Sequence, residues 1–143
     1  MLLLTDPAVA AVRVLECGED LVDLREIPDW SPRRLDAEAS MHVSPLDVAL
    51  HPCGAAVDLT LTDNGDELDL GTAVNATPAA SANACFTAAD NITTGARAWR
   101  RVLCEALSDA GLVNYPPEWW HWSYGDRYWA AVTGAACSIY APR

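Results

Sequence analysis

Lysine is missing altogether: all nine basic side chains are arginine, set against 20 Asp and Glu for a formal charge of −11. No cluster of basic residues exists that could track a phosphate backbone, so nucleic acid is not an expected partner. Long apolar runs are missing too, and nothing approaches the roughly 20 apolar residues that cross a bilayer. Met1-Leu2-Leu3-Leu4 meets Thr5, Asp6 and Pro7 before a signal-peptide core can build up, with no basic segment ahead of it. The expectation is a cytoplasmic protein with no membrane contact. The five cysteines, Cys17, Cys53, Cys85, Cys104 and Cys137, include no C-x-x-C pair and are odd in number. That argues against a complete disulfide framework and against a thiolate zinc knot, and leaves reduced, mostly buried thiols as the expectation. There is no internal repeat and no linker-like tract.

What is present suits one ordinary core. A chain of 143 residues with 51% hydrophobic content is too short to divide comfortably, so residues 1–143 are expected to form one domain. Residues 55–62 alternate, with Val57, Leu59 and Leu61 facing one way and Ala56, Asp58 and Thr60 the other, which reads as a half-buried strand. Asn64-Gly65 is a hairpin turn signal, and Glu67 to Leu70 is expected to return as a shorter strand. Residues 73–84 read as a polar loop.

Between Thr94 and Gly111, the positions Trp99, Val102, Leu103, Ala106, Leu107 and Ala110 fall on one face of a helix. Thr93 or Thr94 can cap it and Gly111 can end it, while Arg97, Arg100, Arg101, Glu105 and Asp109 read as its polar face. Leu112 to Tyr115 and Trp119 to Tyr124 read as strands on either side of the Pro116-Pro117 break, and Asp36 to Met41 as a short helix. With no βαβ rhythm, this order indicates an α+β fold: a small antiparallel sheet with one long helix.

Two short motifs carry chemistry. His51-Pro52-Cys53-Gly54-Ala55-Ala56-Val57-Asp58 puts an imidazole on a loop and a carboxylate on the non-core face of the following strand. Alone, this spacing also describes a surface Asp with a solvated His nearby. Glu118-Trp119-Trp120-His121-Trp122 sets a carboxylate and an imidazole among large rings, where each needs a partner. A regular strand separates Glu118 and His121 to opposite faces, so a bend or single turn after Pro116-Pro117 is expected to aim both at one point. The structural alternative keeps the tryptophans as core and Glu118 as a salt-bridge acceptor for Arg127. Taken together, His51, Asp58 and His121 form a familiar zinc ligand set that leaves a fourth position for water, with Glu118 to take the water's proton. The remaining histidine, His42, has no acidic partner at a telling spacing.

These residues resemble a known family. The pattern Ser44, His51-x-x-Gly54-x-Ala56-x-Asp58-Leu59-Thr60-Leu61, Asp69-Leu70-Gly71-Thr72 and Glu118-Trp119-Trp120-His121 is similar to the zinc D-alanyl-D-alanine dipeptidases of the vancomycin-resistance type, which share a fold with the hedgehog signalling domain. The resemblance covers about residues 28–130, and Leu21-Val22-Asp23-Leu24-Arg25 also looks like the start of such enzymes. It implies one zinc per chain on His51, Asp58 and His121, with Glu118 as catalytic base. Ser44, Thr72 and Trp120, with Arg25 and Arg33, become the substrate-binding candidates.

The departure is a missing Gly-Tyr-Arg-Pro-like segment upstream of the histidine motif, whose arginine in such enzymes stabilises the oxyanion. By that comparison the chain is internally shortened, with Arg25, Arg33 and Arg34 the candidates to substitute. Three functions follow. One is hydrolysis of a small D-Ala-D-Ala type dipeptide. Another is a repurposed site performing a cyclisation, elimination or isomerisation on a metabolite in a biosynthetic pathway, where the tryptophans suit a more apolar ligand. The third is a non-catalytic metal-binding remnant. Apolar surface uncovered by the shortening also suggests a homodimer.

Overall fold

The computed structural model describes the backbone of residues 11–15 and both backbone and side chains of residues 53–140. Ser44, His51, Arg25, Arg33, Arg34 and the segment from Asp36 to Met41 lie outside the described residues. The elements in chain order are β1 (Ala11–Leu15), β2 (Ala56–Asp63), β3 (Asp66–Glu67), α1 (Thr94–Asp109), β4 (Val113–Asn114), β5 (His121–Ser123) and α2 (Arg127–Thr133). The strands form one antiparallel sheet in the order β1-β2-β5-β4, and β3 pairs with β2. The architecture is therefore α+β on a small antiparallel sheet, as the sequence indicates, but with a second helix. Among the described residues no helix is long and apolar enough to cross a membrane.

β2 is the spine, hydrogen-bonded to β1 on one edge and to β5 and β3 on the other. Leu59 and Leu61 enter the core with Leu70, Cys85, Leu103, Leu107, Trp119, Trp120 and Trp122. Removing each such side chain from water contributes about 1.5–3 kcal/mol, more for the tryptophans, which makes this layer the main source of stability. The expectation of a half-buried strand is corrected. Asp58, Thr60 and Thr62, on the face opposite the core, are buried as well.

The hairpin turns where Asn64 and Gly65 allow it. Both have positive φ, 50° and 96°, the type I′ signature that matches strand twist. The return strand is shorter than expected. After the Leu68 N–H bond to the Leu61 carbonyl, the Asp69 carboxylate accepts the Gly71 N–H at 2.7 Å and turns the chain away. Gly71 takes φ 95°, and a Cβ there would lie 2.8 Å from Ile92 Cγ2, so the bend needs glycine on both counts.

α1 begins where Thr93 accepts the Ala96 N–H at 3.0 Å. It ends in a Schellman motif: Gly111, at φ 85°, donates its N–H to Ser108, and Leu112 donates to Leu107. Its buried stripe is Ala96, Arg100, Leu103 and Leu107, so Arg100 belongs to the core side rather than the polar face. α2 escaped the sequence reading although its signals are orthodox. Asp126 caps it through the Trp129 N–H at 2.6 Å, and Gly134 closes it in the left-handed region. The thiols also differ from expectation: Cys85 is buried, Cys104 is half-buried and Cys137 is exposed.

Candidate active site

Register brings the two motifs together. Asp58 on β2 and His121 on β5 are directly paired across the antiparallel ladder, on the face opposite Leu59 and Trp122. Because neighbouring residues on a strand alternate in direction, Trp122 enters the core while His121 points the other way, and Trp119 and Trp120 join the core from the turn just before β5. The Asp58 carboxylate lies 3.1 Å from His121 Nδ1, and both side chains are more than nine-tenths buried.

Glu118 joins them through the expected turn. Glu118 donates its N–H to the Tyr115 carbonyl at 2.9 Å, and His121 donates to the Glu118 carbonyl at 3.2 Å. That turn delivers Glu118 Oε2 to 3.8 Å from the same Nδ1. The Tyr115 ring stands edge-on to the imidazole, with centroids 5.8 Å apart, and limits its rotation. Burial is the main cause that pushes the Glu118 carboxyl above the ordinary carboxylate range. His121 pulls it back and Asp58 pushes it up further. A carboxylate with raised proton affinity beside an imidazole is suited to general acid–base work.

The donors fit a divalent cation. Bond lengths of 2.0–2.2 Å at a tetrahedral zinc put neighbouring ligand atoms about 3.3 Å apart, and Asp58 Oδ1 and His121 Nδ1 are 3.1 Å apart. Among the described residues no group of three or more His, Cys, Asp and Glu stands ready to hold a metal. The third expected ligand, His51, lies outside those residues.

The other candidates fall elsewhere. Thr72 accepts a hydrogen bond from Trp119 Nε1 at 2.9 Å, next to the turn. Trp120 is a core residue, 2% exposed and edge-on to Trp119. Arg100 is the participant that sequence reasoning misplaced. Its guanidinium donates to the carbonyls of Leu70 at 2.7 Å, Phe86 at 2.7 Å and Ala84 at 2.9 Å, and sits 5.5 Å over the Trp119 ring. Burial lowers its pKa to about 10, which leaves it charged at neutral pH. A guanidinium so engaged holds the irregular segment from Leu70 to Phe86 against the turn and is not available to an oxyanion.

The family model for D-ala-D-ala dipeptidases matches residues 31–135, which is well over half of the chain and includes both motifs. The chain belongs to this family. Within the D-ala-D-ala dipeptidase family, it is similar to a D-alanyl-D-alanine dipeptidase of Synechocystis sp., with 34% identity over 95 residues. That alignment covers 61% of this chain and 38% of the relative's own length. Ser44, His51, Asp58, Thr72, Glu118 and His121 all lie within the family match, whereas Arg25 precedes it.

Proposed function

We propose that this protein is a zinc-dependent D,D-dipeptidase-like hydrolase acting on a small D-Ala-D-Ala type dipeptide. The observation that carries the reading is the convergence of Asp58, His121 and Glu118: one imidazole nitrogen lies 3.1 Å from one carboxylate and 3.8 Å from the other. In a D-ala-D-ala dipeptidase family member, a buried pair with a third, proton-accepting group beside it has the composition of a hydrolytic metal centre. Asp58, His121 and His51 would hold the ion. Zinc there would supply Lewis acidity, making water nucleophilic at neutral pH and polarising the peptide carbonyl.

The remaining steps belong to the chain. Glu118, partly open to solvent, takes the proton from the attacking water and returns it to the departing amine. Asp58, paired with His121 across the ladder, would bring its carboxylate to the ion from beside the imidazole. Arg25, Arg33 and Arg34 are candidates to stabilise the oxyanion by their place in the sequence, whereas Arg100 is engaged by three carbonyls. A second reading, a repurposed site performing a non-peptidase reaction on a metabolite, is favoured by the missing Gly-Tyr-Arg-Pro-like segment. The deciding experiment is release of D-alanine from D-Ala-D-Ala by the zinc-loaded protein. Release that disappears in Glu118→Gln supports the dipeptidase. A zinc-loaded protein that releases none overturns it and favours the second reading.

A further inference from the structure

The turn that presents Glu118 and His121 is closed by three backbone hydrogen bonds, from Glu118 to Tyr115 at 2.9 Å, from Tyr115 to His121 at 3.0 Å and from His121 to Glu118 at 3.2 Å. Pro116 and Pro117 within it have no N–H to give, and the bond that joins Glu118 to His121 directly is the longest of the three. A side chain of β4 reinforces it. Asn114, paired with Trp122 across the sheet, donates through Nδ2 to the Glu118 carbonyl and to the His121 carbonyl, each at 3.1 Å. One planar amino group therefore ties together the carbonyls of the two residues proposed to carry the chemistry, and adds to the backbone bonds of the turn.

The amide is itself oriented. Thr87 Oγ1 donates to Asn114 Oδ1 at 2.5 Å, and the Thr87 N–H bonds to the Pro116 carbonyl at 2.9 Å. From the other side the Tyr128 hydroxyl donates to the Asn114 backbone carbonyl at 3.2 Å. With both N–H groups given to carbonyls and its oxygen accepting a hydroxyl, the side chain has a single workable orientation. No other residue type reproduces it. Aspartate offers no donor and faces two carbonyl oxygens with charge, serine is short of one donor, and glutamine is longer by a methylene.

We infer that Asn114, oriented by Thr87, is a positioning residue that sets the separation of Glu118 from His121 through the backbone, without touching substrate or metal. This rests on the function proposed above. The test compares zinc affinity by chelator competition, kcat and KM for D-Ala-D-Ala, and urea stability of the zinc-free protein. The variants are Asn114→Asp, Thr87→Val, Thr87→Ser and, as a destabilised control in the core, Leu107→Val.

Asn114→Asp is expected to lower zinc affinity and kcat by about 10–100-fold, the usual effect of removing a group that orients a metal ligand, with KM little changed. Thr87→Val is expected to cost about fivefold, one neutral hydrogen bond, and Thr87→Ser, which keeps the hydroxyl, to recover most of that. Leu107→Val should lose stability while keeping zinc affinity and kcat. Wild-type affinity and kcat in Asn114→Asp overturn the inference alone. So do losses in all variants, the control included, that simply follow stability. A wild-type protein that binds no zinc overturns both this inference and the proposed function.

Discussion

The two faces of β5 differ in what holds them. Trp122 points into an apolar layer, shared with Trp120 from the preceding turn, where every additional contact is rewarded by release of water. His121 points the other way, into a buried polar site where desolvation costs free energy and only specific partners offset it. The first face tolerates approximate packing. The second depends on register, on the Asp58 partner and on the turn that carries Glu118. A single strand of three residues, His121–Ser123, thus separates the core from the proposed site by side-chain alternation.

Substitutions on the two faces should therefore fail in different ways. The largest effect is expected for Trp122→Ala, which opens a cavity in the core and removes the indole donor to the Trp119 carbonyl. A loss of about 3–5 kcal/mol in urea unfolding is expected, and activity disappears with the fold. Glu118→Gln is the converse. It should lower kcat by about 10²–10⁴-fold while moving stability by no more than about 0.5 kcal/mol. If the unfolding midpoint fell along with kcat, the division between the faces would not hold.

Arg100→Met sharpens the comparison because Arg100 serves structure through polar contacts. The substitution keeps an apolar stem but leaves the carbonyls of Leu70, Ala84 and Phe86 without their donor. A loss of about 2–3 kcal/mol in unfolding is expected, with residual activity in whatever fraction stays folded.

The smallest effect concerns pH. In the zinc-free protein the Glu118 carboxyl holds its proton more tightly folded than unfolded, so its contribution favours the folded state below its ordinary pKa of 4.5. That contribution is lost as pH rises from there through the raised folded value. The difference in urea midpoint between zinc-free wild type and Glu118→Gln, followed across this window, should slope in that sense. The slope is modest because 38% of the carboxylate side chain is exposed and solvent screens it.

Much of this was legible in the sequence where a local rule decides the outcome. The alternation in β2, the Asn64-Gly65 turn and the Thr93 and Gly111 caps of α1 all act within a few residues. The turn that unites Glu118 with His121 was inferable because Pro116-Pro117 and a spacing of three cannot be reconciled with a straight strand. Arg100 was misplaced because charge suggested solvent, although Ala96, Arg100, Leu103 and Leu107 share one helical face. Its partners are carbonyls in a loop far along the chain, and no residue type signals those. Asn114 was hidden for the same reason. α2 was missed through brevity, since seven residues give periodicity too little length to show. The burial of Asp58, Thr60 and Thr62 on the second face of β2 is something a single strand's pattern does not reveal.

If the polar face of β5 is the metal centre proposed above, zinc content after reconstitution and dialysis will show it. About one zinc per wild-type chain is expected, with affinity falling at least tenfold in a folded Asp58→Asn protein. Wild-type protein that retains no zinc, or Asp58→Asn protein that retains it as tightly as wild type, would contradict the account.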